Sequence, residues 1–191
     1  MNKTLKAISL IILCSGIAQT TLYAQVAELF RVEVALPGNF YEGDDKMLVP
    51  PVMLSYEKAI LDEGVAVVGG SVGYTSGSSL KYQFQGDTYR YVSRYALIRL
   101  YGTYYYQFED IERLRLSGTV GLLASFGQRN YSGTGSLENY NIEVPSIPFR
   151  ISPFVGVGGH YALSERIEGF LQFSLGSFPV AAGFSYILKF D

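Results

Sequence analysis

Apolar residues recur at alternate positions through most of this chain, and the alternation divides into eight segments. Phe30, Val32, Val34 and Leu36 oppose Arg31 and Glu33; Val52, Leu54 and Tyr56 oppose Met53, Ser55 and Glu57. Ala66, Val68, Gly70, Val72 and Tyr74 form the third apolar face, and Ala96, Ile98, Leu100, Gly102 and Tyr104 the fourth, with Leu97, Arg99 and Tyr101 opposite. The fifth is the longest: Leu114, Leu116, Gly118, Val120, Leu122, Ala124 and Phe126 alternate with Arg115, Ser117, Thr119, Gly121 and Ser125. The sixth runs from Ile151 to Tyr161 with Phe154 and His160 on its other side, and the seventh from Ile167 to Leu175 opposite Glu168, Phe170 and Gln172. The last sets Phe184, Tyr186, Leu188 and Phe190 against Ser185 and Lys189. A period of two is the signature of a strand with one apolar and one polar face.

These faces hold about forty positions and no Lys, Arg, Asp or Glu, although 17% of the chain is charged and roughly seven would fall there by chance. The charges sit on the other face, as Arg31, Glu33, Glu57, Arg99, Arg115, Glu168 and Lys189. A soluble barrel or sandwich would turn the apolar face inward; a membrane barrel turns it outward to lipid.

Three features favour the membrane. Connections alternate between long and polar (37–46, 75–88, 127–148) and short (58–64, 107–112, 163–166), with 177–179 the short exception. Aromatic residues collect at the ends of the apolar faces, Phe30, Tyr56, Tyr104, Tyr161 and Phe190 at one end and Tyr74, Phe126 and Phe149 at the other, where amphipathic rings favour an interface. Backbone groups in lipid must also pair within the protein, so the sheet has to close, and eight strands with both termini on one side permit that.

Composition and the N-terminus sharpen the picture. The formal net charge of −2 and the lack of a basic cluster argue against nucleic acid. Residues 1–24 read as a signal peptide, with Lys3 and Lys6, an apolar run from Ala7 to Ala18, and cleavage expected after Ala24 or, alternatively, after Ala18. The only cysteine, Cys14, lies in that segment, so residues 25–191, expected to form one barrel domain, have no thiol.

On these residues the chain resembles the small eight-stranded outer-membrane barrels of Gram-negative bacteria, the OmpA-like and OmpX-like class. Gly183-x-x-Tyr186-x-Leu188-x-Phe190 is similar to the C-terminal signal read by the barrel-insertion machinery, with the departure that Asp191 follows the aromatic. The resemblance implies an all-β, antiparallel up-and-down transmembrane barrel in the outer membrane, in contact with its lipid and lipopolysaccharide.

A barrel of eight strands is filled by its own side chains, so a wide pore is excluded and the inward charges are expected to form a salt-bridge network, with Glu168 beside Lys189 and Arg150 near the outer mouth. Some barrels of this size act on lipopolysaccharide through a His-x-Ser motif; here His160-Tyr161-Ala162 has alanine in the serine position. The sequence therefore predicts no catalysis and no cofactor or metal, and reads His160 as a lumen residue near Glu168. Gly156, Gly158 and Gly159 are expected to make room for Phe154 and Tyr101, and Pro50-Pro51 to mark entry into the second strand. Recognition is expected in the outer loops, with Tyr82, Phe84, Tyr131 and Tyr140 as candidates and the extracellular ligand unidentified. The leading reading is a structural or surface-interaction protein; the alternatives are a narrow channel for ions or small solutes and a soluble periplasmic lipid-binding barrel.

Overall fold

In the computed structural model, residues 26–37, 46–60, 66–79, 81–84, 86–108, 111, 113–133 and 146–190 are described, and for 26, 27, 82, 84, 132, 133, 189 and 190 the backbone alone. The signal-peptide segment 1–24 and Tyr140 lie outside them, as do the side chains of Tyr82, Phe84, Lys189 and Phe190.

The strands are β1 (Val26–Ala35), β2 (Lys46–Ala59), β3 (Ala66–Ser78), β4 (Tyr82–Phe84), β5 (Asp87–Gln107), β6 (Leu114–Gly133), β7 (Arg150–Ala162), β8 (Ile167–Leu175) and β9 (Val180–Phe190). All pairings are antiparallel. The ladder runs β1–β2–β3–β5–β6–β7–β8–β9 and returns to β1, where Arg31 faces Ser185 and Val34 faces Ala182. The result is a closed eight-stranded barrel, and the three-residue β4 is an addition to β5 above its rim. Closure removes the free edges that an open sheet of this length would expose.

Each of the eight apolar segments is a stave, and their period-two pattern sets which face turns in. Leu100, Val120, Val157 and Phe184 are 62–64% exposed on the outer wall, whereas Arg31, Glu33, Glu57 and Arg99 are at most 3% exposed inside. A barrel held together by a greasy centre would show the reverse.

The staves run further than the alternation alone suggested. β5 and β6 stay paired from Gln107–Arg115 up to Tyr89–Gly133, so much of the expected loops at 75–88 and 127–148 is strand. Outside the apolar band the polar residues carry no period that marks a strand; backbone pairing continues without it. β2 likewise begins at Lys46, and Pro50-Pro51 lie within it, in the register shift between Val49 and Val52. A shift of that kind is where a missing backbone donor is tolerated. Pro153, near the start of β7, lies beyond the end of the β7–β8 ladder at Val155–Leu175.

Candidate functional site

The enclosed lumen contains the chain's buried chemistry, in two tiers. Toward the short-turn end lies a charged tier, built because alternate residues of β1, β2, β5, β6 and β8 are ionisable and point inward. Arg31 Nη2 of β1 lies 3.0 Å from Glu57 Oε1 of β2 and donates to the Tyr105 hydroxyl at 2.7 Å. That hydroxyl in turn donates to Glu57 Oε2 at 2.7 Å, while the Tyr101 hydroxyl donates to Oε1 at 2.9 Å. Glu57 thus accepts on both oxygens, and the arginine also stacks over Phe170 at 4.5 Å and reaches Ser185 with Nε at 3.4 Å.

A second pair crosses the lumen: Arg99 Nη2 of β5 is 2.7 Å from Glu33 Oε1 of β1, and Arg99 Nε donates to Ser71 at 3.1 Å. A third, Arg115 with Glu168, reaches from β6 over β7 to β8, with Arg115 against the Tyr105 ring. Three arginines therefore meet three glutamates among the described residues, which leaves the enclosed charge balanced. Pairing is needed because an uncompensated ion in this volume would cost several kcal/mol of desolvation.

Toward the long-loop end lies an apolar plug of Ala35, Met53, Tyr95, Leu97, Tyr101, Leu123, Phe154, Phe178 and Ala181, with Ile147 packed on it. Phe178 comes from the turn between β8 and β9 and is 1% exposed. Gly176 makes this possible: its φ is +84°, and a β-carbon there would run into the Pro153 carbonyl oxygen. The short connection at 177–179, an exception in the loop pattern, is short because it folds into the barrel mouth.

The large rings fit through glycines on neighbouring staves. A β-carbon at Gly121 would lie 2.6 Å from Tyr101 Cβ and 2.9 Å from Phe154 Cε1, and one at Gly69 2.7 Å from Tyr101 Cζ. The glycines expected to do this behave differently: Gly156 and Gly158 face Ser174, Gln172 and Ser117, and Gly159 has open space outside.

The other candidate residues fall as follows. Glu168 engages Arg115, and its register partner on β9 is Ser185; Lys189 is opposite Glu28 of β1. His160 is a lumen residue in register with Phe170, two residues along β8 from Glu168, and its hydrogen bond goes to Ser117. Its Nε2 is 2.9 Å from the Ser117 hydroxyl, and its ring stacks on Phe170 and meets Tyr105 edge-on. A serine and a histidine at this distance resemble two of the three members of a nucleophilic triad, yet Nδ1 has no hydrogen-bond partner among the described residues and the pair is sealed in the lumen. A base without an orienting acid or access to substrate does not assemble that chemistry.

On the outer wall, Phe30, Tyr56, Tyr104 and Tyr161 are 38–51% exposed, and Phe30 packs against Tyr56 with centroids 5.3 Å apart. Tyr74 and Phe126 flank Ala96 in one register row near the long-loop end, with Phe149 against Phe126 at 4.8 Å. Tyr131 is in β6, half-buried against Tyr89 at 5.5 Å. Arg150 is exposed at the start of β7. Sequence reasoning missed the hydroxyls of Tyr101 and Tyr105 and the plug. The tyrosines share the parity of Arg99, and Gly69 and Gly121, both opposite Tyr101, were the available signal for that ring; nothing in the pattern marked Phe178.

No family model matches the chain, and no curated protein matches it in sequence. Among solved structures it is similar to the N-terminal β-barrel domain of Pseudomonas aeruginosa OprF, at 12% identity and a TM-score of 0.48 over 86% of this chain and 98% of that one. It is also similar to Ail, the attachment invasion locus protein of Yersinia pestis, at 11% identity and a TM-score of 0.43 over 86% and 95%. The fold rests on this chain's own strand pairing, which closes a small eight-stranded antiparallel barrel.

Proposed function

We propose that this barrel spans the bacterial outer membrane and serves a structural or surface-interaction role through its long-loop end, without catalysis. The observation that carries the membrane reading is the sorting of side chains by face: branched aliphatics cover the outside and paired charges fill the inside. From Ala96 to Tyr106 on β5, at about 3.4 Å per residue and a tilt of roughly 40°, the outer wall rises about 26 Å, matching an apolar band of about 25 Å.

The lumen supports a closed scaffold over the channel alternative. An ion would have to break the Arg31–Glu57 and Arg99–Glu33 contacts and then pass Met53, Leu97, Leu123, Phe154 and Phe178, which offer it no ligands. The soluble alternative fails to account for an exposed apolar band without a charge across the middle of the outer wall. Two experiments test the proposal: the membrane fraction is run on a gel with and without boiling, and purified protein is placed in a planar bilayer. Heat-dependent migration with no reproducible unitary current is expected; steady conductance would favour the channel.

A further inference from the structure

At the long-loop end, outward strand positions carry cations that form no ion pair among the described residues. On β5 the outward positions continue beyond Ala96 as Arg94, Val92 and Arg90, and both arginines are exposed. Lys46 opens β2 opposite Ser78 of β3, which itself faces Val92 of β5, so this lysine lies in the same register row. Lys81 precedes the Tyr82–Tyr89 pair and is exposed. Among the described residues none of these four has an acid within ion-pair distance, and Asp87, where β5 begins, is half-buried on the parity of the inward residues. At the short-turn end the outward strand lysine, Lys58, is 4.0 Å from Glu28, while Arg113 and Arg166 are exposed in the turns.

Their height matters. Arg94 is the next outward residue above the row formed by Tyr74, Ala96 and Phe126, so its Cα stands about 7 Å along the strand beyond the aromatic boundary of the apolar band. Its long stem can run back along apolar surface with the guanidinium at the polar layer. Arginine forks match phosphate oxygens in pairs, and lysine adds a point charge.

We propose that the outward face of β2, β3 and β5 at the long-loop end, with Arg90, Arg94 and Lys46 as principal contacts and Lys81 above them, binds the phosphate groups of the outer-leaflet glycolipid, lipopolysaccharide. The inference rests on the outer-membrane reading and adds a binding site to it. A lipid is favoured over a soluble polyanion because the arginines begin directly above the aromatic row and point away from the barrel axis, where a neighbouring lipid's headgroup stands.

The test uses purified barrel in zwitterionic micelles, titrated with bisphosphorylated lipid A, dephosphorylated lipid A, or inorganic tripolyphosphate. Lipid A is expected to bind at least ten-fold more tightly than its dephosphorylated form. Arg90→Gln with Arg94→Gln should weaken lipid A binding about ten-fold and flatten its salt dependence, whereas Lys58→Gln at the opposite end should leave it unchanged. Equal affinity for the two lipid forms, no effect of the double substitution, or tripolyphosphate binding as tightly as lipid A would overturn the proposal. Heat-dependent gel migration is measured on the same samples, and its loss in the unaltered protein would instead sink the membrane reading.

Discussion

Glu57→Ala should be among the most damaging single changes in the lumen, and a second substitution should repair much of the damage. The carboxylate is 0% exposed and accepts from Tyr101 and Tyr105 while pairing with Arg31. Removing it leaves a guanidinium enclosed with the Tyr105 hydroxyl and Ser185 as remaining polar contacts, at a cost of about 3–5 kcal/mol for a broken buried pair. The two tyrosine hydroxyls lose their acceptor as well, for roughly 1–3 kcal/mol each where no other partner is found. Glu57→Gln keeps an acceptor for one tyrosine and should cost less. Arg31→Met combined with Glu57→Leu removes both charges while retaining volume, and should recover most of the loss, because the ions' mutual attraction mainly offsets their own desolvation. The assay is urea unfolding of protein refolded into phospholipid vesicles, with the folded fraction read from unheated gel migration. The reasoning is refuted if Glu57→Ala costs under about 1 kcal/mol, or if the double variant is less stable than either single one.

Other consequences follow from the packing. Phe178→Ala should destabilise by about 3–5 kcal/mol through the cavity it opens in the plug, measured in the same unfolding assay, and should leave the bilayer current absent because the charged tier still closes the lumen. Gly121→Ala should lower the yield of heat-modifiable barrel, since its β-carbon meets the Leu100 carbonyl oxygen and the Tyr101 and Phe154 side chains. Val120→Arg on the outer wall should cost roughly 2–4 kcal/mol in vesicles, where lipid solvates the site; in an aqueous barrel an outward arginine would be close to neutral.

Much of the barrel was legible because burial on one side forces a period of two, and a slip by one residue would turn every charge to lipid. Arg31, Glu33, Glu57, Arg99, Arg115 and Glu168 could be assigned to the lumen from parity alone. Parity does not say which charge meets which. Glu168 reaches Arg115 across β7 where chain neighbours suggested Lys189, because that choice depends on stagger between staves and on reach across the lumen. His160 finds Ser117 by the same route: its register partner Arg115 and the facing Gly158 leave the hydroxyl at hydrogen-bond distance. The plug was hidden for another reason. Met53, Leu97, Leu123 and Phe154 are apolar on a face that reads as polar, and Phe178 lies in a turn, outside any alternation. The upper parts of β5 and β6 escaped too, since strands above an apolar band need no sorting of residue types.

The central claim, that the aliphatic face meets lipid and the ionised face is enclosed, has a direct optical test because the chain contains no tryptophan. Val120→Trp places a single indole on the outer wall midway along the apolar part of β6, where the native residue is 62% exposed. In vesicles of lipids brominated near the acyl-chain ends its fluorescence should be strongly quenched and its emission blue-shifted, with aqueous iodide having little effect. Quenching by iodide and indifference to the brominated lipids would contradict the account.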